Sequence, residues 1–200
     1  MHYNFIEIGT ANFDTILQTT QDNSVGISVE PIKHLLDQLP NRHNVIKLNI
    51  AISDRDGEIK IYYVKQEIID KYKLPWWFIG SSSVGDIHPG ISRVLKEMNI
   101  DPETVVNSMF IPTKRLGSLI KEYNITSLDM LKIDTEGHDT IILIDYLSEC
   151  INKNFPLPKT IHFEHNGLYS EEEYIKVKNI GTKLGYNVIE YVADTVMTRK

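Results

Sequence analysis

The stretch Tyr3–Thr15, YNFIEIGTANFDT, decides the fold. Its apolar run, Phe5, Ile6 and Ile8, is interrupted by Glu7 and closed by Gly9, after which Asp14 and Thr15 stand as helix-capping residues. That order predicts a strand, a tight turn and a helix N-terminus. Such a junction gathers backbone N–H groups and the positive end of a helix dipole at one point, which suits the carboxylate or phosphate end of a ligand. Glu7 is the unexpected member. A carboxylate inside a buried strand is costly unless paired, so a cationic ligand group is its expected partner.

The second part of the pattern is GISVEPIK, where a short apolar strand ends at Glu30, 21 residues after Gly9 (30 − 9). An acid about 20 residues past the glycine turn is where an α/β nucleotide-binding unit places the carboxylate that holds two ribose hydroxyls. Glu7 and Glu30 together point to a ribose-bearing cofactor that also carries a positive charge. The ammonium of S-adenosylmethionine fits; a dinucleotide pyrophosphate is repelled.

Composition narrows the class. With 200 residues, 42% of them hydrophobic, the chain is long enough for one well-buried α/β domain, and its mean hydropathy of −0.22 is ordinary for a soluble one. The net charge of −6 comes from 27 acids against 21 bases, without a basic block, so a nucleic-acid partner is not expected. One cysteine, Cys150, rules out a disulfide framework and a CxxC zinc pair, and reads as a buried helical position. No run approaches membrane-spanning length and no signal peptide is visible, so a cytoplasmic protein is expected. The chain starts almost directly on its first strand, which suggests a domain of a longer polypeptide.

Along the chain, a helix is expected near Asp14–Thr20, strand two at Val25–Glu30, and a helix at Ile32–Leu39 with Pro31 at its start. Val45–Ile52, VIKLNIAI, reads as one strand whose end, Asn49 to Ile52, should sit beside an adenine. After a DRDG turn (Asp54–Gly57), Glu58–Val64 alternates and should fold back on the preceding strand. Residues 65–100 show no steady period and read as a binding loop or lid, in which Trp76, Trp77 and Phe78 either pin the loop or form a platform for an acceptor. Ser81–Ser83, in the same loop, either hydrogen-bond cofactor or acceptor or are simply solvated. Order returns with a strand at Asn107–Thr113, a helix at Leu116–Tyr123 and a strand at Leu128–Ile133. LDMLKIDTEGHD then carries the chain through Asp134 into a helix at His138–Leu147. Thr160–Glu164 ends in HFEHN, the helix Glu171–Leu184 follows, and Asn187–Tyr191 and Thr195–Arg199 form a closing β-pair.

These residues resemble the FkbM-type family of S-adenosylmethionine-dependent methyltransferases. FIEIGTANFDT, VEP, NIAISDRDGEIKIYYV, LPWW, GSSSV, LKIDTEGHD and IHFEHN carry the likeness over nearly the whole chain, and LKIDTEG is the most specific. The resemblance implies a Rossmann-like class I methyltransferase fold, doubly wound, with a mostly parallel seven-stranded sheet and an antiparallel last strand. It also implies methyl transfer to a hydroxyl, frequently on a sugar or secondary metabolite. The common family turn has D-x-G followed by a further glycine. Here Glu7 replaces the aspartate, and Ala11, Asn12 and Phe13 fill the loop, which restricts how closely the backbone approaches the methionine moiety. The cofactor-binding candidates are Glu7, Gly9, Thr10, Asn12, Phe13, Glu30, Pro31, Ala51, Ser83 and Asp134.

Methyl transfer to a hydroxyl is mostly a positioning problem, with a base or metal needed to remove the proton. Asp134, Glu136, Glu164 and His165 gather at the carboxyl edge of the sheet and are the catalytic candidates. Glu164 and His165 are neighbours and point to opposite faces unless the strand has already ended. His162 reads as structural. Three carboxylates and a histidine could supply a hard, oxygen-rich site, but the spacing is not diagnostic and a divalent metal is not favoured. Two other readings are an S-adenosyl-binding interaction module without catalysis, and an NAD-dependent oxidoreductase, which lacks GxGxxG.

Overall fold

A computed structural model describes residues 1–200 apart from positions 14, 154 and 166 and the side chain of residue 153. Asp14, one of the two capping residues expected from sequence, and Asn166 of HFEHN therefore lie outside the described residues. Seven strands form the main sheet: β1 (His2–Ile8), β2 (Gly26–Val29), β3 (Val45–Leu48), β8 (Ser127–Ile133), β9 (Thr160–Glu164), β10 (Asn187–Glu190) and β11 (Asp194–Thr198). Their order is β10-β11-β9-β8-β1-β2-β3, parallel throughout except that β11 runs antiparallel to both of its neighbours. One face of the central strands is apolar, and there Ile6, Ile27, Leu131 and Phe163 are essentially inaccessible to water; the other face packs Phe5 against Leu17, Leu36 and Leu39 but also carries Glu7, Ser28, Lys132 and His162.

Helices α5 (Leu116–Glu122), α6 (Asp139–Lys153) and α7 (Glu171–Lys183) contribute to the core of this sheet, with Leu119, Leu143, Tyr146 and Val177 buried. Cys150 is buried on α6. Helix α7 opens with a capping box, Ser170 Oγ accepting the Glu173 N–H while the Glu173 carboxylate accepts the Ser170 N–H.

A second sheet departs from the sequence reading. VIKLNIAI is two strands. Asn49 Nδ2 donates to the carbonyls of Glu30 (3.0 Å) and Pro31 (2.8 Å), at the point where the chain leaves the main sheet after Leu48. β4 (Ala51–Ser53) then joins a four-stranded sheet of order β4-β7-β5-β6, with β5 at Gly57–Tyr63, β6 at Ser83–Val84 and β7 at Asn107–Arg115. β5 therefore folds back on β7 and not on the strand before it. The DRDG turn helps seat β7 between them: the Asp56 carboxylate accepts the Arg115 N–H (2.8 Å) and the Ser118 hydroxyl (2.8 Å).

Residues 65–100 are also more ordered than expected. They contain α3 (Gln66–Tyr72), a 3₁₀ turn at Trp76–Ile79, β6 and α4 (Pro89–Glu97). These elements pack on the second sheet through Ile69, Phe78, Ile91 and Leu95, a core separate from that of the main sheet. Pro89 opens α4 at the position where a missing N–H costs nothing. Pro31, by contrast, stays outside its helix: α2 runs Lys33–Gln38 with Ile32 as N-cap. The remaining helix, α1, is a single turn, Ile16–Thr19.

Candidate active site

The carboxyl ends of β1, β2, β8 and β9 meet the second sheet around a cavity of about 260 Å³. Gly9, Thr10, Ala11 and Phe13 line one side, with Glu30 and Pro31 beside them. Ile50, Ala51 and Ile52 supply an apolar wall, Trp76, Trp77 and Gly80–Val84 the roof, and Asp134, Thr135, Glu136, His138 and Glu164 the acidic end.

Gly9 has a φ of +79°, and a Cβ placed on it would lie 1.8 Å from the Asp134 carbonyl oxygen. Only glycine lets β1 turn while the end of β8 passes this close. Glu30 is buried at the far end of the turn. One of its carboxylate oxygens accepts the Ala11 N–H (2.8 Å), the other the Ile32 N–H (2.8 Å). Burial still dominates these bonds and pushes its pKa up to about 7.

Three sequence candidates fall outside the cavity. Glu7 does not wait for a cationic ligand. Lys132 is its cross-strand partner on β8, with Nζ 3.4 Å from the Glu7 carboxylate. That carboxylate also accepts the Thr15 hydroxyl (2.5 Å) and the Ile16 N–H (2.9 Å). It thereby occupies the N-terminus of α1, which leaves no open anion site there. Burial raises its pKa, against the lowering effect of these three partners. Asn12 is turned outward, donating to Gln38 Oε1 at 2.6 Å. His165 follows the end of β9 and stacks on Tyr174 of α7 at 4.8 Å and 10° between ring planes, away from Asp134. His162, read as structural, bonds Asp194 at 3.1 Å.

Asp134, Glu136 and Glu164 line the same cavity. Burial, then repulsion from Asp134, Glu136, Asp139 and Asp194, pushes Glu164 up to about 8. Asp139 organises this end and was not singled out in the sequence, although it closes the quoted LKIDTEGHD. Fully buried, it accepts the Thr135 N–H (2.9 Å), the Thr135 hydroxyl and the Glu164 N–H (3.1 Å), tying the ends of β8 and β9 together.

His138 was missed as well. His138 Nε2 lies 2.9 Å from Ser53 Oγ, and burial lowers its pKa. Ser83, a cofactor candidate, lines the cavity but its hydroxyl donates to the Asp86 carbonyl (2.7 Å), bracing the loop. The aromatic run divides: Phe78 is core, Trp77 packs on Phe78 and His88, and Trp76, 70% exposed, meets Phe13 edge-on at 5.7 Å over the cavity. Among the described residues no group of three or more His, Cys, Asp or Glu is arranged to hold a metal ion.

The cavity thus lies at the carboxyl edge of a parallel sheet, between a glycine turn and a buried acid after the second strand, the edge at which open α/β sheets hold their ligands. The sequence carries the model of the methyltransferase FkbM domain over residues 7–188. The chain belongs to the FkbM methyltransferase family. The matched span of this FkbM chain includes β1 from Glu7 onward, the whole second sheet and both acidic strand ends. No curated protein and no solved structure matches it. Among the described residues no helix is long and apolar enough to cross a membrane.

Proposed function

We propose that this chain is an S-adenosylmethionine-dependent O-methyltransferase of the class I fold, acting within a single domain on a hydroxyl of a carbohydrate or similar compound. The observation that carries the reading is the cavity in which Glu30, an apolar wall and the carboxyl groups of Asp134, Glu136 and Glu164 face one another. The residues fit the cofactor's chemistry. Glu30 is a buried acceptor with both oxygens anchored, suited to two ribose hydroxyls. Ile50, Ala51 and Ile52 suit the flat face of a purine. Asp134, Glu136 and Glu164 crowd three carboxyl groups together, where a cationic ligand would favour their ionised forms. S-adenosylmethionine supplies a methyl group activated for attack by its positive sulfur. The protein's own part is to align that methyl group with the hydroxyl, exclude water under Trp76 and Phe13, and accept the proton on a carboxylate of the acidic end.

The test is calorimetry with S-adenosylmethionine, S-adenosylhomocysteine and NAD in parallel, followed by labelled methyl transfer to a panel of glycans and hydroxylated metabolites. Binding of the two S-adenosyl compounds and label on a hydroxyl are expected. Binding without transfer would favour an interaction module, and binding of NAD alone an oxidoreductase.

A further inference from the structure

A second cleft adjoins the cavity. Ser83, Val84, Glu136 and His138 line both, so these residues form the wall between them; Asp86, His88 and Leu168 line only the second. Glu136 sits in this wall in an uncommon conformation. Its φ is +53°, that of Gly137 is +100°, and a Cβ on Gly137 would come within 2.9 Å of Leu168 Cβ. A left-handed non-glycine residue costs of order 1 kcal/mol and persists only where its surroundings hold it. Two neighbours hold this one: the Ser81 hydroxyl donates to Oε1 at 3.2 Å, and His88 Nε2 lies 3.2 Å from Oε2.

His88 is itself fixed. It is the N-cap of α4, where its Nδ1 accepts the N–H groups of Gly90 (3.1 Å) and Ile91 (3.4 Å). A ring nitrogen that accepts carries no proton, so in the neutral ring the proton is on Nε2, the nitrogen that lies 3.2 Å from Glu136 Oε2. Helix α4 thus dictates the tautomer, and the tautomer fixes the carboxylate.

On the reading of the chain as an O-methyltransferase, we propose that the second cleft admits a polyhydroxylated, sugar-like acceptor and that Glu136 takes its hydroxyl proton, with His88 as the positioning residue. The carboxylates of Asp86 and Glu136 and the ring of His138 offer hydroxyl partners, and Leu168 an apolar face for the C–H side of a sugar ring. In the step, the acceptor O–H breaks and its proton passes to the Glu136 carboxylate. The oxygen forms the new C–O bond as the C–S bond breaks, and that electron pair stays on sulfur.

The experiment uses the full chain saturated with S-adenosylhomocysteine, with histidine rings labelled with ¹⁵N and assigned by His88→Asn and His138→Asn. Failure of S-adenosylhomocysteine to bind would count against the methyltransferase reading itself. Given binding, His88 should show a protonated Nε2 and an accepting Nδ1, and the opposite tautomer overturns the positioning role. Methyl glucoside, methyl galactoside and methyl mannoside are then titrated in. At least one should shift the rings of His88 and His138, and Leu168→Trp should abolish the shift; no shift with any of the three overturns the acceptor cleft. With a glycoside that shifts them, Glu136→Gln should lower kcat by roughly 10²–10⁴-fold. His88→Asn, whose side chain still caps α4 but is too short to reach Glu136, should lower it by about 10- to 100-fold, with S-adenosylhomocysteine affinity within about threefold. Unchanged kcat in Glu136→Gln, or no transfer by the parent to a glycoside that binds, removes Glu136 as the base.

Discussion

Glu7 and Glu30 are two buried carboxylates at the ends of adjacent strands, and their partners give them different work. Glu7 is held by groups of the protein itself, Thr15, Ile16 and Lys132. Glu7→Ala therefore strips a buried charge pair and the first turn of α1, and should cost about 3–5 kcal/mol in denaturant-monitored stability. Glu30 is anchored by two N–H groups but faces the cavity, so it retains lone pairs for a ligand. Glu30→Ala would leave the Ala11 and Ile32 N–H groups orphaned and confuse folding with binding. Glu30→Gln keeps the shape and one acceptor. It should weaken S-adenosylhomocysteine binding by roughly ten- to a hundredfold in calorimetry, about 1.5–3 kcal/mol. An affinity equal to the parent's would mean that Glu30 is not the ribose acid.

At the scale of elements, the site is the meeting of two sheets. The main sheet brings Gly9, Glu30, Asp134 and Glu164; the second sheet and α4 bring Ala51, Ser83 and His88. Helix α4 has one side-chain cap, and His88 provides it in a way that separates two effects. His88→Ala removes the cap and should lower stability by about 1 kcal/mol, seen as a drop in Tm. His88→Asn restores a side-chain acceptor at the N-cap and should recover most of that loss. If both variants melt alike, the cap contributes little and α4 is held by Ile91 and Leu95 alone.

For the whole molecule, the buried acids set the response to pH. Glu30 holds its proton in the folded chain up to about pH 7 and Glu164 up to about 8, whereas both ionise near 4.5 once unfolded. Between pH 5 and 8 the folded state therefore binds more protons than the unfolded one, and stability falls as pH rises, by about 3 kcal/mol from Glu30 alone. His138 opposes this below about 6.5, since the unfolded chain takes a proton there that the buried ring refuses. One histidine against two carboxylates leaves the slope negative. Urea denaturation of the ligand-free chain should show greater stability at pH 6 than at pH 8, and Glu164→Gln should flatten the profile. A profile that rises with pH would mean these carboxylates are ionised in the folded state.

What the sequence determined is whatever rests on neighbours along the chain. Period, turn chemistry and the acid after Gly9 were enough for β1, β2, β8, β9 and the closing antiparallel pair. LKIDTEG located the acidic end, and GISVEP located the buried Glu30. These are readable because a strand's alternation, a glycine at positive φ and a residue at a strand end are set locally. The tertiary structure decided who meets whom. Asn49 splits one apolar run into strands of two sheets, Asp56 helps seat β7 between β4 and β5, and Lys132 takes the partnership with Glu7 that sequence reading left for a ligand. Asn12 and His165 lie outside the cavity because each meets a neighbour from another element, Asn12 by a hydrogen bond to Gln38 and His165 by stacking on Tyr174. Ser81 and Glu136, 55 residues apart, and His88 beside them are adjacent only because the second sheet folds over the first. Such pairings depend on which long-range contacts bury apolar surface best, and that sum is a property of the whole chain that no short window of sequence contains.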